Sequence, residues 1–561
     1  MKFFISVTEL INRKEVERMS NGIFKIPTPK NEPGNTYAPG TKERETLKAE
    51  LKRQSDIVVD IPVIINGENI KTDTVKQVVM PHNHQHVLAN YSQAGEKELR
   101  EAVEAAMAVK ESWENTPWEH RAAIFLKAAD LISGPYRDVM NAATMLGQSK
   151  TAIQAEIDSA QELVDFLRFG VDYANQIYQI QPESMKNVWN RLDYRALDGF
   201  VLAISPFNFT AIGGNLPSAP AMMGNVVVWK PATTSILANY YFMRILEEAG
   251  LPKGVINFVP SRGSQVSEVV LTDTRMAGFH FTGSTSTFQT IWKTVGESIT
   301  NYKSYPRLVG ETGGKDFVFA HETAQADKVV ANLVRGAFEY QGQKCSAASR
   351  AYIPASMWEE VKAGLLEETS KLKVGDVRDF TNFMGAVIDK PAFDSITSYI
   401  DYAAASEEAE IIAGGTYDDS VGYFVQPTII VTTNPNFKTM VEEIFGPVLT
   451  IYVYENDKLE ETLDAADTAS MYALTGAIFA QDRQAIAHLE RRLSGAAGNF
   501  YINDKPTGAM INQQPFGGSR GSGTNDKAGS VFNMIRWTSP RVIKENFAPT
   551  TEITYPFMDA E

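Results

Sequence analysis

The only cysteine of the 561-residue chain, Cys345, stands in the run Gln341-Gly342-Gln343-Lys344-Cys345-Ser346. A lone cysteine is most often a small buried hydrophobe. A polar loop with a neighbouring lysine is also a setting that lowers a thiol pKa and favours the nucleophilic thiolate, so both readings stand. Glu311 lies between glycines in Gly310-Glu311-Thr312-Gly313-Gly314-Lys315. A carboxylate there is either an acid-base group or the solvated acid of a flexible linker. Thr282-Gly283-Ser284-Thr285-Ser286-Thr287 opens a stretch of helical spacing through Phe288, Ile291, Trp292 and Val295. It predicts either ordinary Ser/Thr capping or a diphosphate held on helix N-terminal amides. Lys230 ends an apolar run and either snorkels to solvent or meets a ligand's hydroxyls or phosphates. His82, His84 and His86 alternate, but no cysteine or acidic cluster adjoins them, so an exposed edge or turn is favoured and no metal is expected.

Such groups need elements that bring them together. From residue 197 to 281, short apolar runs such as Phe200-Val201-Leu202-Ala203-Ile204, Val226-Val227-Val228-Trp229 and Gly278-Phe279-His280-Phe281 alternate with longer, mostly helix-length stretches. This alternation predicts a parallel sheet covered by helices. A second round follows over 315–453, with a helix over 329–338 and strands near 350–353 and 448–451, so two α/β domains are expected. Ligands of open α/β folds bind at the carboxyl ends of the strands, which brings Ser205-Pro206-Phe207-Asn208-Phe209, Lys230 and the Gly283 segment to one edge. The helix before Cys345 is expected to stop at Gly342. Upstream, helical spacing marks Leu99, Val103 and Ala106, then Ala122, Leu126 and Ala129, then residues 153–169. The first 50 or so residues, rich in Pro, Gly, Lys and Glu, read as an arm over the surface, followed by β-branched runs over 57–87. The tail near 537–544 is strand-like but isolated, and is expected to pair elsewhere or on a partner subunit. No G-x-G-x-x-G follows a strand, so any dinucleotide binds by another route.

Composition narrows the function classes. With 68 acidic against 53 basic side chains the formal charge is −15, which opposes a polyphosphate partner, and nucleic acid is not expected. One cysteine allows no intramolecular disulfide and suits a reducing compartment. The apolar start is cut short by Glu9 and Arg13, Met19 offers a second start, and Glu9, Glu15 and Glu17 do not suit a transit peptide. No apolar run approaches the ~20 residues of a membrane span. A cytoplasmic protein is expected, or one of the mitochondrial matrix if the source is eukaryotic.

Asn208, Lys230, Phe281-Thr282-Gly283-Ser284, Glu311-Thr312-Gly313-Gly314-Lys315, Gly342-Gln343-Lys344-Cys345, Glu443-Ile444-Phe445-Gly446-Pro447 and Pro515-Phe516-Gly517-Gly518 occur in an order that resembles the aldehyde dehydrogenases. The resemblance runs from about residue 60 to about 545. It accounts for the missing glycine fingerprint, since this family binds NAD in its own variant of the Rossmann fold. It implies an α/β fold with an N-terminal arm (1–56), a Rossmann-like NAD-binding domain (57–310, interrupted by a β-hairpin near 185–198), an α/β catalytic domain (311–495) and a small β oligomerisation flap. A return segment (496–561) would carry a substrate-anchor loop and an oligomerisation strand, making a homodimer or higher homo-oligomer. Within the family, the segments around Asn208, Cys345-Ser346-Ala347-Ala348-Ser349-Arg350 and Gln513 to Lys527 are most similar to the monofunctional Δ1-pyrroline-5-carboxylate dehydrogenases, which oxidise L-glutamate γ-semialdehyde to L-glutamate in proline catabolism.

The resemblance also implies roles. Cys345 would be the nucleophile, Asn208 an oxyanion donor and Glu311 the base for thioester hydrolysis. Ser205, Lys230, Gly283, Ser284, Thr285, Ser286 and Thr287 would contact NAD, with Glu443 on the nicotinamide ribose and Phe445 beside it. Gly508 and Ala509 would offer backbone amides to the substrate carboxylate, helped by Ser346, while Phe209 and Phe516 sandwich its chain and Glu162 lies nearby. Some relatives have Ser where Ala509 stands. Many NAD-selective members have Glu where this chain has Thr233, so NADP stays open beside NAD. A dehydrogenase for another aldehyde acid, such as succinate or aminoadipate semialdehyde, and a non-catalytic binding protein on the same fold are the competing readings.

Overall fold

The computed structural model describes residues 22–560. Two seven-stranded sheets organise it. The first has the order Arg307–Glu311, Met276–Thr282, Phe200–Ile204, Val226–Lys230, Ile256–Phe258, Val63–Ile65, Glu68–Ile70. Its first five strands are parallel and the last two antiparallel. The parallel strands are almost wholly buried, as a sheet covered on both faces requires, and this is why their sequences read as continuous apolar runs. Glu96–Glu114 covers Phe200–Ile204 and Val226–Lys230 through Leu99, Ala102, Val103 and Ala106, one apolar stripe at helical spacing.

The second sheet runs Ala409–Ala413, Thr428–Thr432, Val448–Tyr454, Ala348–Pro354, Asp316–Ala320, Thr475–Phe479, Asn499–Ile502. Only its Ala409–Ala413 edge is antiparallel. Ala326–Phe338 and Trp358–Ser370 cover one face, and Lys390–Ala404, Leu459–Thr468 and Arg483–Arg492 the other. The α/β expectation with two sheets is met. The second sheet, however, takes in Asn499–Ile502 and so runs past the expected limit of 495.

Several local expectations are corrected. No local hairpin forms near 185–198: Val188–Arg195 pairs antiparallel along its whole length with Ser539–Asn546, so the isolated tail strand finds its partner within the chain. The helix before Cys345 stops at Phe338, and residues 339–342 make one tight turn in which Tyr340 (φ 53°) and Gln341 (φ 55°) are left-handed. Left-handed non-glycine backbone is held only where its surroundings over-determine it. The predicted 153–169 helix is three pieces: Ala152–Ala155, a π-helical segment Glu156–Glu162, and Leu163–Tyr178. The arm is docked rather than loosely laid down: its helix Lys42–Ser55 buries Leu47 and Leu51, and Tyr37 is buried ahead of it. The part before residue 22 lies outside the described residues, as do the readings of Glu9, Glu15, Glu17 and Met19. His82 is buried in a turn rather than exposed. His84 and His86 bond to the Asp419 and Ser55 carbonyls, and no group of metal-binding side chains occurs among the described residues.

Candidate active site

Parallel pairing fixes the register at the carboxyl edge of the first sheet. Thr282 pairs with Glu311, Phe281 with Ile204, and Ile204 with Lys230, so Glu311, the Gly283 turn, Ser205 and Lys230 lie side by side along one rim. The Gly283 amide donates to Glu311 O (3.2 Å) and the Ser205 amide to Lys230 O (3.2 Å), extending the ladder into the loops. Trp229 Nε1 donates to Ser205 Oγ (3.1 Å). Ser284 caps Thr285–Glu297, accepting from the Thr287 amide (3.3 Å), while Ser286 and Thr287 stand in the first turn. A side chain at 283 would bring its Cβ within 2.7 Å of the Phe281 ring, so anything larger than glycine there must shift that ring.

This rim suits a dinucleotide. The open amides of a 13-residue helix are an anion site. Lys230 is a half-buried ammonium on which only desolvation acts, pushing it down to about 8, and an anionic or hydroxyl ligand would relieve that penalty. Across the rim, Phe445 (φ 58°) packs edge-on to Phe207 at 5.7 Å. Glu443 Oε1 accepts from the Gly314 amide (2.9 Å), and burial raises Glu443 to about 6 against that bond and the Lys315 charge. Tertiary folding thus brings Glu443 and Phe445 beside the rim from the second sheet.

Cys345 arrives from the other side, on the loop between Ala326–Phe338 and Ala348–Pro354. Gly342 (φ 64°) is needed in that loop, because a Cβ would fall on the Gly446 carbonyl. The environment of the thiol reverses the expectation drawn from Lys344. Cys345 is 8% exposed, and burial, reinforced by the carboxylates of Glu311, Asp316, Glu443 and Glu162, pushes its pKa well above the ordinary thiol value. Lys344 faces Glu339 (3.4 Å) and is itself lowered to about 8 by burial. Asn208 Nδ2 donates to Gln343 O (3.1 Å), tying the oxyanion candidate to the loop that carries the thiol.

Glu311 is not the solvated acid of a linker. Its Oε1 is buried without a hydrogen-bond partner, and burial raises the carboxyl to about 8 against the charge of Lys527. Such an acid can exchange a proton near neutral pH.

A pocket joins Cys345 and Glu311 to the substrate candidates. Cys345, Glu311, Ser346, Glu162, Phe209, Phe516, Gly508 and Ala509 all line it, so every expected substrate residue faces the same space as the thiol. Ser346 Oγ and Thr507 Oγ1 are 2.8 Å apart, joining the cysteine loop to the 505–514 loop. Gly508 (φ 97°) turns that loop, and among the described residues neither its amide nor that of Ala509 has a partner. Burial and the Asp158 charge raise Glu162 to about 8, against Lys150.

Sequence reasoning missed Lys505 and Thr507, which line the pocket beside Gly508. The polar run Lys505-Pro506-Thr507-Gly508 was the available signal. It also missed the buried pair Lys150–Asp158 (2.7 Å), in which Asp158 accepts from the Thr210 and Ala211 amides (2.9 and 2.8 Å) and Lys150 stands 4.0 Å from the centre of the Phe209 ring. No spacing announced that pair, because it forms through the π-segment.

Comparison with known proteins gives one answer. A family model described as the aldehyde dehydrogenase family matches residues 69–543. The mitochondrial Δ1-pyrroline-5-carboxylate dehydrogenase of Dictyostelium discoideum is 54% identical over 536 residues, 95% of this chain and 96% of that protein. Its namesake in Homo sapiens is 49% identical over 94% of each chain. The crystal structure of the Δ-pyrroline-5-carboxylate dehydrogenase from Mycobacterium tuberculosis bound with NAD is similar at a TM-score of 0.93 and 52% identity, covering 96% of this chain and 100% of that one.

Proposed function

The chain belongs to the aldehyde dehydrogenase family, and from that premise we propose that its pocket oxidises L-glutamate γ-semialdehyde, in equilibrium with Δ1-pyrroline-5-carboxylate, to L-glutamate with NAD. This is the second step of proline catabolism. The observation that carries the reading is that one pocket joins the Cys345 thiol and Glu311 to the free amides of Gly508 and Ala509.

Cys345 sulfur attacks the aldehyde carbon. Attack needs the thiolate, so the proton that burial and the nearby carboxylates hold on Cys345 passes to solvent before the sulfur adds. The Asn208 amide faces the oxyanion where negative charge develops. Ser205, Lys230, Gly283 to Thr287, Glu443 and Phe445 would hold NAD, which would supply the hydride acceptor needed to take the tetrahedral adduct to a thioester. Glu311 then takes a proton from the hydrolytic water, the C–S bond breaks, and glutamate leaves with Cys345 restored. At the far end, the amides of Gly508 and Ala509 and the Lys505 charge meet the substrate carboxylate, Ser346 supports them, Glu162 faces the ammonium, and Phe209 and Phe516 flank the methylenes.

Among the described residues no helix is long and apolar enough to cross a membrane. The ribbon of Val188–Arg195 and Ser539–Asn546, with Trp189 and Val542 open, supports the reading of a homodimer or higher homo-oligomer that docks through it. The expected compartment is the cytoplasm, or the mitochondrial matrix in a eukaryote.

The test is NADH formation with L-glutamate γ-semialdehyde, run beside succinate semialdehyde, NADP and Cys345→Ala. Turnover of the glutamate semialdehyde above the other aldehyde, lowered about 10⁴-fold or more in the variant, is expected. Preference for succinate semialdehyde would discard the substrate assignment.

A further inference from the structure

Residues 31–37 of the arm reach two walls of the pocket at once. On the loop side, Asn31 Nδ2 donates to Ile511 O (2.9 Å), and Gln513 Nε2 donates to Asn31 Oδ1 (3.1 Å). On the helix side, Asn31 Nδ2 donates to Asp165 Oδ2 (2.7 Å) and the Glu32 amide to Asp165 Oδ1 (2.8 Å). Gln161 Nε2 donates to Glu32 O (2.9 Å), and the Asn35 amide and Tyr37 hydroxyl each donate to Glu156 at 2.7 Å. The Glu32 carboxylate is itself pinned between Arg137 (2.7 Å) and Arg168 (2.6 Å).

Asp165 stands in the first turn of Leu163–Tyr178, directly after the π-segment. Glu156 and Gln161 belong to the π-segment that ends at Glu162, and the same segment offers Asp158 to the helix start beside Phe209. A π-turn is rare, and one that persists does so on bonds from outside the helix. The loop-side partners belong to residues 505–514, which have no regular structure of their own, so ties from elsewhere must offset the entropy of ordering them. Among residues 31–37, Asn31 alone bonds both walls, which Tyr173 of the helix and Asn512 of the loop also join directly (3.3 Å).

We propose that residues 31–37 are a strap that sets the distance between the 508–511 loop and the stretch from Glu156 to Asp165, with Asn31 as its positioning residue through Asp165 and Ile511, so that the pocket selects aldehydes ending in a charged amino acid group. The inference rests on the reading of Gly508 and Ala509 as carboxylate anchors. The reacting groups are held mainly by the two sheets and their loops, and the strapped walls meet them at one remove, through Ser346–Thr507 and through Asp158 at the Thr210 and Ala211 amides. Loosening it therefore weakens binding of the remote end and leaves the chemistry in place.

The experiment is Asn31→Ala in the full chain, with steady-state kinetics on L-glutamate γ-semialdehyde and on propanal, which has no charged end. KM for the semialdehyde is expected to rise about tenfold, the effect of losing roughly one net hydrogen bond, while its kcat and the propanal kcat/KM stay within about twofold. Gln513→Ala removes one of the two loop-side bonds and carries the same selective effect at smaller size, and the double variant should be no worse than Asn31→Ala alone. If Asn31→Ala lowers thermal stability, Gln513→Ala keeps the test open. An unchanged KM in both variants, or a parallel loss on both aldehydes, overturns the strap. Failure of the unaltered chain to prefer glutamate semialdehyde over succinate semialdehyde instead removes the anchor reading on which the strap rests, and that is seen before any variant is made.

Discussion

Glu156 in the π-segment and Glu311 at the join of the two sheets are both carboxylates withdrawn from water, and their surroundings differ completely. Glu156 is met by Arg137, the Tyr37 hydroxyl, the Asn141 amide and the Asn35 N–H. Glu311 has one oxygen with no partner at all, and its one opposing charge is Lys527. A buried charge with every lone pair satisfied is scaffold, since no proton can enter or leave without breaking several bonds. A buried carboxyl with a free oxygen is costly to the fold and is available to a substrate or a water. The contrast separates what holds this pocket from what works in it.

The contrast breaks most visibly at Glu311→Gln. Steady-state turnover should fall about 10²–10⁴-fold, the range for loss of a general base, with the defect in thioester hydrolysis. Rapid-mixing measurements of NADH should then show a first-turnover burst; equal loss of burst and steady state would assign Glu311 to the first half-reaction instead. Glu156→Gln should do the reverse. Uncoupling a buried ion pair costs about 3–5 kcal/mol, so the urea midpoint should drop markedly while the ratio of burst to steady-state rate stays that of the unaltered chain.

The smallest effect is on the pH dependence of stability. Glu311 titrates at about 8 in the folded chain against an ordinary 4.5, so between those values the folded state keeps a proton that the unfolded state has lost. Its contribution to stability therefore falls as pH rises through that window. Glu311→Gln removes this slope, and its urea midpoint should gain on the unaltered chain from pH 5 to pH 8. A gain that does not grow with pH would mean that Glu311 is better solvated than its surroundings indicate.

Much of this was legible in the amino-acid order. The strand ends at Ser205, Lys230, Gly283 and Glu311 follow from apolar runs that stop at polar residues, and a parallel sheet puts such ends on one edge whatever the details of packing. The motif order around Cys345 and Phe516 gave the family and, with it, the residues expected to face the substrate, which line one pocket. The state of Cys345 was misread because Lys344 is adjacent in sequence, whereas the groups that act on the thiol come from Glu162, Glu311, Asp316 and Glu443 on four separate segments. The hairpin was misread for a related reason: Val188–Arg195 has strand character, but its partner lies at Ser539–Asn546, and local pattern carries no information on pairing over that separation.

Sequence by itself therefore determined the two sheets, the edge at which ligands bind and the residue types that do chemistry, because those depend on local periodicity and on side-chain identity. The tertiary structure alone decided which carboxylates are satisfied and which are left open, where the π-segment forms, and that an arm beginning hundreds of residues from the 505–514 loop bonds to it. Each of these is set by burial and by hydrogen bonds between distant segments, which no run of neighbouring residues specifies.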